Sequence, residues 1–173
     1  NNSDLNGKRI ENETIATVLF FSRGNGDTIH FSNANSTLTG IKGTIKAGDF
    51  RYDINSSLIG DFNKENILAS VSVLHAIGLD SDAITNGINT CPLIPGRLEI
   101  FKLSKGAKVV IDYAHTPDAY EKVLGTLKEL INGDNKVYAI FGAGGDRDRN
   151  KRPEIAKIAE IFCYKCFITP DNP

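Results

Sequence analysis

The feature that most constrains the fold is an apolar run that leads through a glycine-rich, charged loop into a helix. Residues Val137–Phe141 are apolar throughout, as strands buried in parallel sheets are. Three glycines follow, and six of the seven residues Asp146–Arg152 are charged. Pro153 then opens a helical pattern, and a second apolar run, Cys163–Thr169, comes after it. The order strand, helix, strand predicts a parallel βαβ unit.

The residues before this unit continue the same alternation. Leu98–Leu103 and Lys108–Ile111 are apolar runs rich in β-branched residues, which favours strands. Thr116 is a candidate N-cap with Pro117 at the first helical position, and apolar residues then recur at helical spacing. The alternation predicts an α/β fold with a Rossmann-like sheet in this half of the chain.

The first sixty residues favour β structure instead. Turn chemistry between four extended segments predicts a meander of antiparallel strands, at Thr14–Phe21, Thr28–Phe31, Thr39–Ala47 and Phe50–Ile59. Helical spacing begins at Asn66 with Gly78 as its stop, and Ser81 is a candidate cap of a second short helix. Cys91–Gly96 contains two prolines and a glycine, which predicts a stiff linker or a domain boundary.

Composition argues against several classes of function. Lys and Arg total 20 against 21 Asp and Glu, and this balance argues against non-specific nucleic-acid binding or a basic membrane face. No run of 18 apolar residues occurs, so the sequence predicts no transmembrane helix. Three cysteines, an odd number, favour a reducing cytoplasm over a disulfide framework. We therefore expect a cytoplasmic protein.

Two loops are candidate ligand sites, because open parallel sheets bind ligands beyond the carboxyl ends of their strands. One is Asp112–His115 and the other is the glycine-rich loop, and each leads into a helix N-terminus. The second loop lacks the Walker A pattern, and Arg147 stands where G-x-G-x-x-G needs its third glycine. Its Arg and Lys side chains suit carboxylates. A solvated charged loop and a dinucleotide-binding module are the alternatives.

Single residues in this region allow more than one interpretation. Asp112 suits a ribose hydroxyl or a cap or turn. His115 suits a base, a metal ligand or a stacking surface, although a lone histidine beside a cap is more often structural. Cys163 and Cys166 have C-x-x-C spacing, but residues three apart in a strand point to opposite faces. That geometry favours ordinary strand residues over a metal or redox site.

Five motifs in order carry a resemblance to a known family. They are GDFNKENILAS at Gly60–Ser70, PGRLEI at Pro95–Ile100, DYAHTPDAYEKVL at Asp112–Leu124, FGAGGDRDRNKRP at Phe141–Pro153 and TPDNP at Thr169–Pro173. With these motifs the chain resembles the Mur ligases, and within them the type that makes UDP-N-acetylmuramoyl-tripeptide. The likeness runs from Gly60 onward, whereas only the strand pattern fits before it.

The resemblance implies an activity and its substrates. Mur ligases use ATP and Mg²⁺ to phosphorylate a carboxylate, which the amine of an amino acid then attacks. For this type it implies addition of meso-diaminopimelate to UDP-N-acetylmuramoyl-L-alanyl-D-glutamate in peptidoglycan synthesis, by an enzyme that is monomeric when complete. The alternatives are L-lysine as the added amino acid, a relative such as cyanophycin or folylpolyglutamate synthetase, and a non-catalytic Rossmann-like binding module.

The resemblance also implies which residues bind the nucleotide. Asn63 and Asn66 resemble the asparagines near the adenine, whose edge a carboxamide can both donate to and accept from. Arg97, in P-G-R, resembles the arginine that reaches the nucleotide from the domain junction. Asp112 resembles the acid that holds the ribose hydroxyls, and His115 lies beside it in sequence.

Two motifs imply an amino-acid site. Arg147, in G-G-D-R-D, resembles the arginine that binds the incoming amino acid. Asp171, Asn172 and Pro173 match the first three letters of the D-N-P-R motif that reads meso-diaminopimelate. A cationic loop attracts the distal carboxylate of meso-diaminopimelate and repels the ammonium of lysine. No catalytic residue and no metal ligand is assigned.

The implied domains are incomplete. Residues 1–94 correspond to the C-terminal part of a central ATP-binding domain, and residues 95–173 to the first half of a C-terminal amino-acid-binding domain. The sequence contains neither a Walker A loop nor the segment with the modified lysine that helps to hold Mg²⁺. We therefore expect this polypeptide to be inactive by itself, and its second sheet to leave an edge and apolar side chains exposed.

Overall fold

The structure is a computed structural model that describes residues 1–2, 5–22, 28–131, 133–143 and 149–170. The chain divides into two compact units, Asn1–Leu93 and Ile94–Pro173. The division falls inside the proline-containing break at Cys91–Gly96. None of the helices in these described ranges has both the length and the apolar character that crossing a membrane requires.

The first unit combines a four-stranded sheet with helices, and its first helix was not predicted from the sequence. In chain order its elements are α1 (Leu5–Glu13), β1 (Phe21–Ser22), β2 (Ile29–Thr37), β3 (Gly40–Ala47), β4 (Phe50–Ser56), α2 (Asp61–Ala76) and α3 (Ser81–Thr90). The strand order is β1-β2-β3-β4. The pairs β2–β3 and β3–β4 are antiparallel, which confirms that part of the meander.

The core of the first unit joins the sheet to α2 and α3. Its buried side chains are Ile29, Phe31, Ile41, Ile45, Ala47, Tyr52, Ile54, Ile67, Leu68, Val71 and Ile84. On β4 every second residue from Tyr52 onward is buried, the period of a strand with one face inward. On α2 the buried residues Ile67, Leu68 and Val71 follow helical spacing. The two periods therefore supply the two sides of one core.

The predicted first strand, Thr14–Phe21, is wrong over most of its length. Only Phe21–Ser22 forms β1, and residues 14–20 have no regular structure. Ile15 and Val18 are exposed, so the alternation of this segment buries little against the sheet. β1 also pairs with β2 in parallel, and not as the first hairpin of an antiparallel meander.

The helix ends of this unit confirm one signal and correct another. Gly78 has φ 76° and its N–H donates to the His75 carbonyl at 3.0 Å, so it ends α2 as predicted. The cap of α3 is Asp80 and not Ser81, because Asp80 is the residue with non-helical angles (φ −59°, ψ 137°). Its carboxylate accepts from the N–H groups two and three residues later, both at 3.0 Å.

The second unit alternates strands and helices, which confirms the α/β prediction. Its elements are β5 (Glu99–Lys102), a 3₁₀ turn (Ser104–Gly106), β6 (Lys108–Ile111), α4 (Pro117–Leu130), β7 (Tyr138–Phe141), α5 (Lys151–Phe162) and β8 (Lys165–Ile168). β7 and β8 are parallel neighbours joined through α5, which is the predicted βαβ unit. β5 and β6 form a separate antiparallel pair, so the described strands make two small sheets rather than one.

Helices α4 and α5 lie on one face of the sheet formed by β7 and β8. Thr116 caps α4 as predicted, with its Oγ1 accepting from the Ala119 N–H at 3.3 Å. The Phe141 ring meets the α4 ring of Tyr120 edge-on, with centroids 5.4 Å apart. Ile140 is 76% exposed. The expectation that β7 is buried was therefore wrong, because alternate side chains of this strand have no cover.

Candidate functional site

The P-G-R motif forms a tight turn that displays Arg97. The Arg97 N–H donates to the Ile94 carbonyl at 3.1 Å, and Gly96 has φ 67°. Proline at the second position and a glycine with positive φ at the third are the signature of a type II turn. The Gly96 N–H donates to Glu99 Oε2 at 2.9 Å, which fixes the turn to the start of β5. The Arg97 side chain is exposed.

Asp112 holds the residue that follows this turn. Its Oδ2 accepts from the Leu98 N–H at 2.9 Å, and its Oδ1 accepts from the Ala114 N–H at 2.8 Å. Leu98 is buried with φ 46°, a left-handed conformation that costs about 1–2 kcal/mol. A hydrogen bond to a charged group contributes about 1.5–3 kcal/mol, which is enough to offset that strain. Asp112 thus has the turn role that was one of its two interpretations from the sequence. Each of its carboxylate oxygens keeps a second lone pair that could accept from a ligand.

Tyr113 is a residue of this site that sequence reasoning missed. The Arg97 Cζ lies 5.1 Å from the centroid of its ring, and the His115 ring lies edge-on at 5.4 Å from it. His115 Nδ1 is 3.1 Å from the Tyr113 carbonyl oxygen. Tyr113 is 66% exposed. An aromatic residue two positions after a strand end, outside any apolar period, was the signal that could have identified it.

Asn63 and Asn66 form a hydrogen-bonded pair at the start of α2. Asn66 Nδ2 donates to Asn63 Oδ1 at 2.9 Å, and Asn63 Nδ2 donates to the Ile59 carbonyl at 2.8 Å. Asn63 is buried and Asn66 is exposed. Asn63 therefore fixes the start of α2. The side-chain oxygen of Asn66, Oδ1, takes no part in this pair.

A cleft of about 380 Å³, which no sequence pattern indicated, also lies beside α2. It is lined by Phe31, Ala34, Asp61 and Lys64. Lys64 Nζ is 2.8 Å from Asp61 Oδ1, and the Lys64 side chain is only 15% exposed. The two charges neutralise each other, so this ion pair gives the cleft no net charge with which to attract an anion.

The predicted amino-acid site lies outside the described residues. This is the case for Arg147 and for Asp171, Asn172 and Pro173. The elements on either side of the glycine-rich loop are described: β7 leads into it and α5 follows it. The loop therefore connects a strand end with a helix start, the arrangement that the sequence predicted.

The C-x-x-C pair has a different geometry from the predicted one. Cys163 is the C-cap of α5 and Cys166 lies in β8, so the two residues do not share a strand. Burial and the neighbouring Cys166 raise the pKa of the Cys163 thiol to about 11. A thiol with this pKa is protonated at neutral pH, which disfavours metal binding and redox exchange. Across the described ranges, no three His, Cys, Asp or Glu side chains cluster as a metal site would require.

A protein-family model matches the sequence of the second unit. Residues 96–173 match the family model described as Mur ligase, glutamate ligase domain. This part of the chain belongs to that family and is a Mur ligase C-terminal domain, as the resemblance implied. The match begins at Gly96, inside the turn that displays Arg97.

Particular relatives carry the name of one member of this class. The UDP-N-acetylmuramoyl-L-alanyl-D-glutamate–2,6-diaminopimelate ligase of Geobacter sulfurreducens is 38% identical over 173 residues, all of this chain and 34% of that protein. A solved structure of a ligase with the same name is 33% identical with a TM-score of 0.61, over 90% of this chain and 31% of that one. This chain spans about a third of the length of the curated relatives it matches.

A wider likeness concerns the fold alone. The folylpolyglutamate synthetase of Lactobacillus casei has a TM-score of 0.64 at 23% identity, over 87% of this chain and 35% of that one. Sequence identity at this level does not indicate which substrate this chain would use. The likeness supports the α/β architecture that the alternation of elements predicted.

Proposed function

We propose that this chain is part of an ATP-dependent ligase that adds meso-diaminopimelate to UDP-N-acetylmuramoyl-L-alanyl-D-glutamate in peptidoglycan synthesis. The observation that carries the proposal is the 38% identity over all 173 residues with a relative named for this reaction. Residues 1–94 would belong to the central ATP-binding domain and residues 95–173 to the C-terminal domain that binds the amino acid. Because its substrate ATP is cytoplasmic, the enzyme would act in the cytoplasm.

The geometry of the second unit supports a role in nucleotide binding. Arg97 is a positively charged residue at the end of a turn that Glu99 and Asp112 hold from both sides. A guanidinium suits phosphate oxygens, and a carboxylate with free lone pairs suits ribose hydroxyls. Arg97 and Asp112 are therefore assigned to the nucleotide, and His115 is assigned to the same site through its contact with Tyr113.

The contacts of the asparagine pair support a different role for each of its two residues. Asn66 is the exposed member, and its amide can donate to and accept from the edge of an adenine ring. Asn63 is buried and bonds to Asn66, so its proposed role is to orient that amide. Bound Mg²⁺ would neutralise charge on the phosphates of ATP, and no described residue is assigned to it.

The test is a ligation assay on the ligase that contains this sequence. UDP-N-acetylmuramoyl-L-alanyl-D-glutamate and ATP are supplied with either meso-diaminopimelate or L-lysine. We expect a tripeptide product by mass spectrometry and equimolar ADP and phosphate with meso-diaminopimelate, and little product with L-lysine. Preference for L-lysine would overturn the substrate assignment, and no product with either amino acid would overturn the proposed reaction.

Arg147 gives a sharper test of the amino-acid site. Arg147→Ala should raise the KM for meso-diaminopimelate by about tenfold or more, because a charge-assisted bond to a carboxylate is lost. The KM for ATP should be unchanged. Arg51→Ala is the matched control, since Arg51 is an exposed arginine paired with Asp53 in the first unit. An unchanged KM for meso-diaminopimelate would remove Arg147 from the site.

A further inference from the structure

The backbone around Arg97 is fixed, but its long side chain requires a separate support. Hydrogen bonds hold the N–H groups on both sides of it, from Gly96 to Glu99 and from Leu98 to Asp112. They set the direction in which the Arg97 side chain leaves the turn. They do not set the position of the guanidinium, which several rotatable bonds separate from the backbone.

The face of the Tyr113 ring is the described feature that meets this guanidinium. The 5.1 Å between Arg97 Cζ and the ring centroid is within the range of a cation–π contact. No carboxylate in the described part of the chain lies within ion-pair distance of Arg97. The charge is therefore held by an aromatic face and stays available to an anionic ligand, which a carboxylate partner would have opposed.

The exposure of Tyr113 agrees with this role. Its ring is 66% exposed and adds little to the core of the second unit. It also meets the His115 ring at an interplanar angle of 62°. Tyr113 thus contacts two exposed side chains, Arg97 from the turn before β5 and His115 from its own loop.

We propose that Tyr113 is a positioning residue that holds the Arg97 guanidinium in its binding orientation for the phosphates of ATP. This inference rests on the proposed function. Holding the side chain in advance reduces the conformational freedom that ATP binding would otherwise remove. An exposed cation–π contact of this kind corresponds to about a two- to fivefold change in affinity.

The test uses Tyr113→Leu and Tyr113→Phe in the ligase that contains this sequence. Leucine keeps apolar bulk but loses the aromatic face, so the KM for ATP should rise about two- to fivefold while kcat is unchanged. Phenylalanine keeps the face and should restore the wild-type KM. Tyr164→Leu is the matched control, because Tyr164 is 62% exposed and also lies under a cation, with Lys136 Nζ 3.8 Å from its ring centroid.

A double variant separates positioning from direct contact with the nucleotide. If Tyr113 acts through Arg97, Tyr113→Leu has no further effect on the KM for ATP in an Arg97→Ala background. An equal effect in both backgrounds would show that Tyr113 contacts ATP itself, and the positioning role would be overturned. An unchanged KM for Tyr113→Leu in an active enzyme would also overturn it.

A measurement without turnover keeps the inference distinct from the proposed function. In the 173-residue chain, the Arg97 side-chain protons should show a ring-current shift in NMR spectra that Tyr113→Leu removes and Tyr113→Phe keeps. If the wild-type ligase makes no product, the proposed function fails and the role in binding ATP fails with it. If it makes product but the ring-current shift is absent, only the positioning role fails.

Discussion

At the scale of single residues, Tyr52 links burial to a pH dependence of stability. Its ring is fully buried, its Oη is 2.8 Å from His75 Nδ1, and burial raises its pKa above the ordinary value of about 10. Above that pH the unfolded chain loses the phenol proton before the folded one does. The contribution of the Tyr52 phenol to stability is therefore fully present below pH of about 10, and it falls as pH rises further. We expect the free energy of unfolding of the first unit, measured in urea, to show this fall.

Tyr52→Phe tests the assignment, since Tyr52 is the one tyrosine in residues 1–93. The variant should lose about 1 kcal/mol at neutral pH with its hydrogen bond, and its alkaline fall in stability should be smaller. Tyr138→Phe, on an exposed ring of the second unit, is the control and should leave the profile unchanged. Identical alkaline profiles for Tyr52→Phe and the wild type would contradict the prediction.

A second residue-scale prediction concerns Asp112 and the strained Leu98. Asp112→Ala removes both hydrogen bonds of the carboxylate and leaves the buried left-handed residue without support. The second unit should lose about 2–4 kcal/mol of stability, measured by hydrogen exchange of its slowest amides. Asp118→Ala, which breaks an exposed ion pair to Lys122, should cost no more than about 1 kcal/mol. Equal losses for the two variants would argue against the Leu98 contact.

At the scale of elements, α3 protects an edge of the sheet. β4 ends the strand order, and edge strands present free backbone groups. The Asn89 side chain completes part of that edge, because Asn55 N–H donates to its Oδ1 at 2.7 Å and its Nδ2 donates to the Asp53 carbonyl at 2.9 Å. One amide from a helix thus takes the place of a neighbouring strand.

Removal of this amide should loosen β4. Asn89→Ala should lower the free energy of unfolding of the first unit by about 1–2 kcal/mol, because two exposed hydrogen bonds are lost. Hydrogen exchange at the Asn55 amide should accelerate by more than exchange in β3. Asn86→Ala, on the exposed side of the same helix, is the matched control. Equal acceleration for both variants would mean that Asn89 does not protect the edge.

The elements also show what periodicity can and cannot predict. Strands β3 and β4 and helix α4 were predicted well because turn glycines, caps and apolar spacing agreed at each of them. The strand at Thr14–Phe21 failed because an alternating pattern does not reveal whether a face exists to bury it. Tyr113 was missed for a related reason: its contacts with Arg97 and His115 depend on a turn conformation that no spacing rule contains.

At the scale of the whole molecule, the chain divides into two compact units. The proline-containing break made that division predictable. The five ordered motifs indicated the family from the amino-acid sequence alone. The order of strands in the second unit was not predictable in the same way. The apolar run of β7 favours a strand that is buried on both faces, and it does not reveal whether another element covers each face.

That exposed face leads to a prediction for the 173-residue chain. Tyr138 and Ile140 of β7 and Phe167 of β8 are 56%, 76% and 47% exposed, and the strand register places them on one side of the sheet. Exposed apolar side chains grouped on one face promote self-association and binding of hydrophobic dyes. Ile140→Lys should therefore lower the fluorescence of a bound naphthalene-sulfonate dye and shift sedimentation toward monomer. Ile10→Lys, at an exposed isoleucine of α1, is the control and should change neither. If both lysine variants behave alike, the face is no different from scattered surface side chains, and the apolar character of β7 has no consequence for association.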